Sequence, residues 1–149
     1  MSWKPDITVA AIVERDGRFL IVEEQIRGQR VFNQPAGRVE SGESLLAAAV
    51  RETLEETAWH FEPEWLLGVY PWRSITRASS SLRFAFIGRV HSHEPGRELD
   101  MPIIATHWLR RDELQAREPA LRTPLVLRCI DDYVAGRRLP LTAINDPSP

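Results

Sequence analysis

Between residues 44 and 59 the chain carries no glycine or proline and is rich in Leu, Ala, Glu and Arg, so this segment is predicted to be a helix, entered through the Ser41-Gly42 turn. A helix advances about 100° per residue, which lets its faces be separated on paper. With Glu52 as origin, Glu56 falls about 40° to one side and Glu55 about 60° to the other, while Leu46, Ala47, Val50 and Leu54 fall opposite. The face bearing Leu46 and Val50 is therefore expected to pack on a sheet and the three carboxylates to share another face. Like charges at this spacing weaken an isolated helix, and Arg51, four residues before Glu55, cannot neutralise all three. Such a face is either a solvated acidic surface or a site for a hard divalent cation. Magnesium prefers oxygen ligands and commonly bridges one or two carboxylates to substrate phosphates.

The rest of the chain supplies strands. Residues 7–13 and 18–22 are apolar runs around Asp16-Gly17 and read as a β-hairpin. Residues 23–30 are polar around Gly28 and read as a loop, and 31–34 as a short strand stopped by Pro35-Ala36-Gly37. Residues 62–72 and 81–90 read as strands joined by a polar connector at 73–80, and 91–100 as a loop with Pro95-Gly96. A strand is expected at 103–109, short helices at 112–117 and 124–136, and an irregular tail after Pro140. Strands and helices mix without βαβ alternation, which points to an α+β or mixed-sheet sandwich.

At 149 residues and 43% hydrophobic content the chain fits one domain, residues 1–149. Cys129 is the only cysteine, so it is expected as a buried apolar residue and not in an internal disulfide. There is no signal-peptide pattern and no apolar stretch near the ~20 residues of a membrane span, so a cytoplasmic protein is expected. A net charge of -2 argues against binding to nucleic-acid polymers but leaves room for a small phosphorylated ligand.

The segment GRVESGESLLAAAVRETLEETAW resembles the Nudix box, with Gly37, Glu43, Arg51, Glu52, Glu55 and Glu56 all in register. The stretches FLIVEEQIRGQRVFNQPAG, LRFAFIG and RTPLVLRCIDDYVAGRRLPL extend the resemblance to bacterial Nudix phosphatases of the NudJ type, over most of residues 7–141. The resemblance implies a Nudix fold, in which a mixed β-sheet is sandwiched between α-helices (an α/β, or α+β, class). It also implies magnesium, or manganese in its place, held by Glu52, Glu55 and Glu56, with Glu43 and Arg51 organising the loop and helix. The implied activity is hydrolysis of nucleoside tri- and diphosphates and of thiamine-type pyrophosphates, releasing inorganic phosphate, by a monomer or homodimer. Two positions depart from the box: Thr53 replaces an aliphatic residue, and Ala58 followed by Trp59 replaces glycine followed by an aliphatic residue. Glycine commonly permits a left-handed stop, so the helix is expected to end slightly differently, with activity retained.

The carbonyl of Ala36 is expected as a further metal ligand, and the loop acids Glu94, Glu98 and Asp100 as candidates to assist the metal or the attacking water, Asp100 being preferred. Arginine forks suit phosphate, which makes Arg27, Arg30, Arg73, Arg77 and Arg83 candidates. Arg83 stands out because it interrupts an apolar strand. Trp72 is placed to stack on a substrate ring or to serve as core, and Gln34 to face the site. The four histidines show no zinc spacing. An inactive Nudix-fold binding or regulatory module would be expected to lack box glutamates. A nucleotide-sanitising or ADP-ribose hydrolase would keep them and differ in product.

Overall fold

The computed structural model describes residues 3–74 and 80–146. Arg77 lies outside the described residues. The elements in chain order are β1 (Asp6–Ile12), β2 (Glu14–Arg15), β3 (Arg18–Ile26), β4 (Gln29–Asn33), β5 (Ala36–Arg38), α1 (Leu45–Thr57), β6 (Trp59–Arg73), β7 (Ser80–His93), β8 (Ile103–Leu109), α2 (Arg111–Gln115) and α3 (Leu125–Val134). Single 3-10 turns at Glu118–Ala120 and Leu141–Ala143 complete them, the second inside the tail expected to be irregular.

A mixed sheet runs β5-β1-β7-β6, with β1 and β7 parallel and the other pairs antiparallel. A second, antiparallel sheet joins β2, β3, β4 and β8 around β3. Helices flank the mixed sheet: α1 packs on β6, β1 and β5, and α3 on β6, β1 and α2. Alternation along β1 explains the layering. Val9, Ala11 and Val13 enter the core beneath α1, whereas Ile12 enters the core with Val126, Cys129 and Ile130 of α3. A strand buried on both faces reads as an unbroken apolar run, which is what residues 9–13 present. Cys129 is fully buried, as expected.

Three expectations are corrected. The Asp16-Gly17 turn forms with both residues at positive φ, but only β2 pairs across it with β3, because β1 leaves for the mixed sheet. Residues 23–30 are not a loop: β3 continues to Ile26 and turns into β4 at Arg27-Gly28, at φ 51° and 77°. The strands at 62–72 and 81–90 are longer than expected, so residues 91–93 belong to β7 and the loop begins after them.

The helix α1 is turned differently from expectation. Its buried residues are Ala48, Ala49, Thr53, Glu56 and Thr57, while Leu46 and Val50 only edge against the core. Small alanines let the helix axis approach the sheet closely. The larger Leu46, Val50 and Leu54 border an outer apolar groove with Pro63 and Leu141. Thr53 is tolerated inside because its hydroxyl donates to the Ala49 carbonyl at 2.8 Å.

Candidate active site

Ser44 caps α1, its hydroxyl accepting the Ala47 N–H at 3.0 Å. At the other end Ala58 takes the left-handed conformation (φ 63°), and its N–H donates to the Leu54 carbonyl. The expectation of a shifted helix end is therefore overturned: alanine makes the stop that glycine would make, at a cost of about 1 kcal/mol.

Because Ala48, Ala49 and Thr53 face the sheet, Glu52 and Glu56 are carried toward β5. Glu56 is 9% exposed, and its carboxylate accepts the Ala36 N–H at 2.9 Å. Glu52 lies against Gly37, where a Cβ would meet its carboxyl carbon at 2.1 Å. A side chain at residue 37 would displace the Glu52 carboxyl group from this position. Arg51 binds Glu43 through two nitrogens at 2.6 and 2.9 Å, Glu52 at 2.8 Å and Glu55 at 3.1 Å, and it also donates to the Arg38 carbonyl. One guanidinium thus ties the loop before α1 to the helix and to β5. The pairing holds Glu43 below the usual carboxylate range and pushes Arg51 further up.

Burial moves the inner glutamates the other way. Desolvation raises Glu52, opposed by Arg51 and assisted by Glu55 and Asp100. Desolvation pushes Glu56 up to about 9, opposed by the Ala36 N–H and assisted by Glu52, Glu24 and Asp100. The arrangement is an acidic cluster with one shared cation. Among the described residues no three His, Cys, Asp or Glu side chains converge as a finished metal cage. Glu52 and Glu55 are instead turned onto Arg51, and Glu56 onto Ala36. The donor set still fits magnesium, because it is all hard oxygen, the ion needs few protein ligands, and the cradle beside Gly37 is one a Cβ would fill.

Glu56 of the glutamate cluster lines a cleft of about 870 Å³, together with Ala36, Gly37, Asn33, Trp72 and Arg83. That volume suits a nucleotide-sized ligand. Arg83 is 5% exposed; its guanidinium donates to Gln34 Oε1 at 2.9 Å and Asn33 Oδ1 at 3.0 Å. Gln34 does not itself line the cleft: it is sealed at 1% exposure, its amide nitrogen bonded to the Val126 carbonyl. Trp72 is half-buried, bordering the cleft and packing on the core of α3.

The remaining candidates separate by position. Arg27 is exposed at the β3–β4 turn and lines the cleft rim. Arg30 pairs with Glu23 at 3.5 Å, and Arg73 lies over Trp3; neither lines the cleft. Asp100 is exposed, and its N–H donates to the Glu55 carbonyl at 3.0 Å, which pins the loop to the end of α1. Glu94 is bound instead to His60 and Arg97. His91 and His93 are exposed. Sequence reasoning missed Glu24, Asn33 and Arg122. Glu24 was hidden by reading β3 as ending at Val22, because the polar Glu23, Glu24 and Gln25 interrupt the apolar run before Ile26.

A family profile described as NUDIX domain matches residues 4–128. The chain is 39% identical over 145 residues to the phosphatase NudJ of Escherichia coli K12, covering 97% of this chain and 93% of that one. A NUDIX hydrolase from Nitrosomonas europaea superposes with a TM-score of 0.95 at 46% identity, covering 97% of this chain and 99% of that one. An ADP-ribose pyrophosphatase from Streptococcus suis shares the fold alone, with a TM-score of 0.69 at 16% identity, covering 91% and 96%.

Proposed function

The chain belongs to the Nudix hydrolase family and is closely related to bacterial NudJ-type phosphatases, and on that premise we propose that it is a magnesium-dependent phosphatase of nucleoside tri- and diphosphates and thiamine-type pyrophosphates. The observation that carries this reading is that one cleft is lined both by the buried Glu56, which belongs to a cluster of carboxylates, and by the buried Arg83. Glu52, Glu55 and Glu56, with the Ala36 carbonyl, would hold the ion, which when bound neutralises phosphate charge and polarises the phosphorus centre.

The chain's own residues do the rest. Arg83 presents a guanidinium whose partners, the amides of Gln34 and Asn33 and the thiol of Cys129, are neutral, so its full charge is available to a phosphoryl oxygen. Gln34 acts through Arg83 by fixing its orientation. Trp72 offers an aromatic face at the cleft for the ring of a nucleotide or thiamine-type substrate, and Arg27 reaches the same cleft from its rim. Water attacks phosphorus, the bridging phosphorus–oxygen bond breaks, and the water's proton passes to a carboxylate. We assign that transfer to Asp100, a reading supported by the Asp100 N–H bond to the Glu55 carbonyl, which holds this loop acid against the end of α1.

The test is product release from nucleotides, thiamine pyrophosphate and ADP-ribose, with and without magnesium. Magnesium-dependent inorganic phosphate is the expected result. Pyrophosphate as the product, or AMP from ADP-ribose, would replace the phosphatase assignment with a different cleavage. No product from any compound would overturn it.

A further inference from the structure

We propose that Arg122 is a second anion-binding arm of the cleft, receiving the substrate phosphate that lies away from the glutamates, and that the buried Glu24 aims it. The identity of the anion rests on the diphosphate-hydrolase reading above.

Successive side chains on a strand take opposite faces. Along β3, Glu23 turns to His107 of β8 at 2.8 Å, while Glu24 enters the cleft. The register with β8 shifts between these two residues, and such irregularities re-aim side chains beside functional sites. Glu24 is 4% exposed and binds Arg122 Nη1 at 2.6 Å. The Arg122 backbone is fixed as well: its N–H donates to the Phe32 carbonyl at 2.8 Å, and Leu121 bridges the same Phe32. The Arg122 side chain nonetheless stays 46% exposed and lines the cleft.

Glu24 is costly where it stands. Burying a carboxylate carries a desolvation penalty, and Glu24 is 4% exposed with Arg122 as its ion-pair partner. The carboxylate is explained by what it holds. A guanidinium has five N–H donors in a fixed plane, and one bond to Glu24 sets that plane while leaving donors for a ligand. The other cleft arginines are disposed differently. Arg38 is paired with Asp6 at 3.1 Å near the surface, and Arg27 is exposed on a turn. Arg83 and Arg122 are thus the two arginines of the cleft that buried partners hold in place. A diphosphate needs such a cation for each phosphoryl group.

Wild type, R122A, R122K and E24Q are compared in steady-state hydrolysis and in calorimetric titration with magnesium and the non-hydrolysable imidodiphosphate. R122A is expected to raise KM and weaken imidodiphosphate binding roughly ten- to a hundredfold, with a smaller change in kcat. R122K should recover part of the loss, and E24Q should raise KM by roughly threefold to tenfold. If R122A does not fold, R122K and E24Q carry the comparison. Unchanged KM and imidodiphosphate affinity in folded variants would overturn the proposal, as would a loss confined to kcat. A wild type that turns over no diphosphate while R122A still loses imidodiphosphate affinity would sink the hydrolase reading and leave the arm standing.

Discussion

On the helix wall of the cleft, Glu52 and Glu55 share one arginine, Arg51, and Glu56 accepts a backbone N–H, whereas on the sheet wall Arg83 meets neutral groups, the oxygens of Asn33 and Gln34 and the thiol of Cys129. The first wall crowds more carboxyl groups than Arg51 can neutralise, so that Glu56 keeps a proton, and the second has a buried positive charge without an acid on it. Either alone is an energetic cost, since buried charge needs compensation. On the proposed reading, a divalent cation carrying a phosphate group would complete both at once. The two walls would then meet two parts of one ligand, and the difference separates what each should do when altered.

The largest effect is expected on the helix wall. E56Q keeps the shape of the side chain and its bond to Ala36 in reach but removes the charge, and kcat should fall by at least roughly a hundredfold. Steady-state phosphate release checks this, and near-normal turnover would remove Glu56 from the chemistry. On the sheet wall, R83M should leave metal binding intact and raise KM roughly ten- to a hundredfold, since a charge-assisted contact is lost. If R83M lowered magnesium affinity as much as it raised KM, the separation of the two walls would break.

The helix wall also carries a pH signature. An ordinary glutamate titrates near 4.5, whereas burial pushes Glu56 up to about 9. Between these values the folded chain keeps a proton that the unfolded chain has released, so stability falls as pH rises through that window. In chelator, the melting temperature should therefore drop from pH 5 toward pH 9, by an amount on the order of a few kcal/mol in stability. E56Q should flatten the drop, and magnesium should oppose it at the alkaline end by taking the deprotonated form. A wild-type profile that rises over this range would contradict the buried, proton-holding Glu56.

The two walls were unequally legible in the sequence. Gly37, Glu43, Arg51, Glu52, Glu55 and Glu56 are fixed by spacing along one loop and helix, so local pattern suffices. Arg83, Asn33, Glu24 and Arg122 come together from β7, β4, β3 and the segment before α3, and no local pattern encodes that meeting. Arg83 alone betrayed itself, as a charge inside an apolar strand. The turn of α1 was misread because hydrophobicity ranks Leu46 and Val50 above alanine, while close packing against a sheet favours the small Ala48 and Ala49. The mixed sheet was legible as a class. The long β3 was not, because Glu23 and Glu24 are buried by partners distant in sequence, His107 and Arg122.

The smallest expected effect tests whether the helix wall depends on where α1 stops. Ala58 holds φ 63° and ψ 13°, a left-handed conformation that costs an alanine but not a glycine. Its N–H closes on Leu54, and its carbonyl accepts the Glu94 N–H at 2.8 Å, so the stop is held from both sides. A58G should keep this geometry and relieve the strain, but glycine also loses more freedom on folding, which offsets part of the gain. The net expectation is a stabilisation of at most about 0.5 kcal/mol, or roughly 1–2 °C in Tm, with kcat and KM unchanged. A58V should act oppositely, because a β-branched residue is a poorer fit to positive φ. If A58G changed kcat several-fold, the end of α1 would be tuning Glu55 and Glu56, and the alanine would belong to the helix wall's chemistry as well as to its stability.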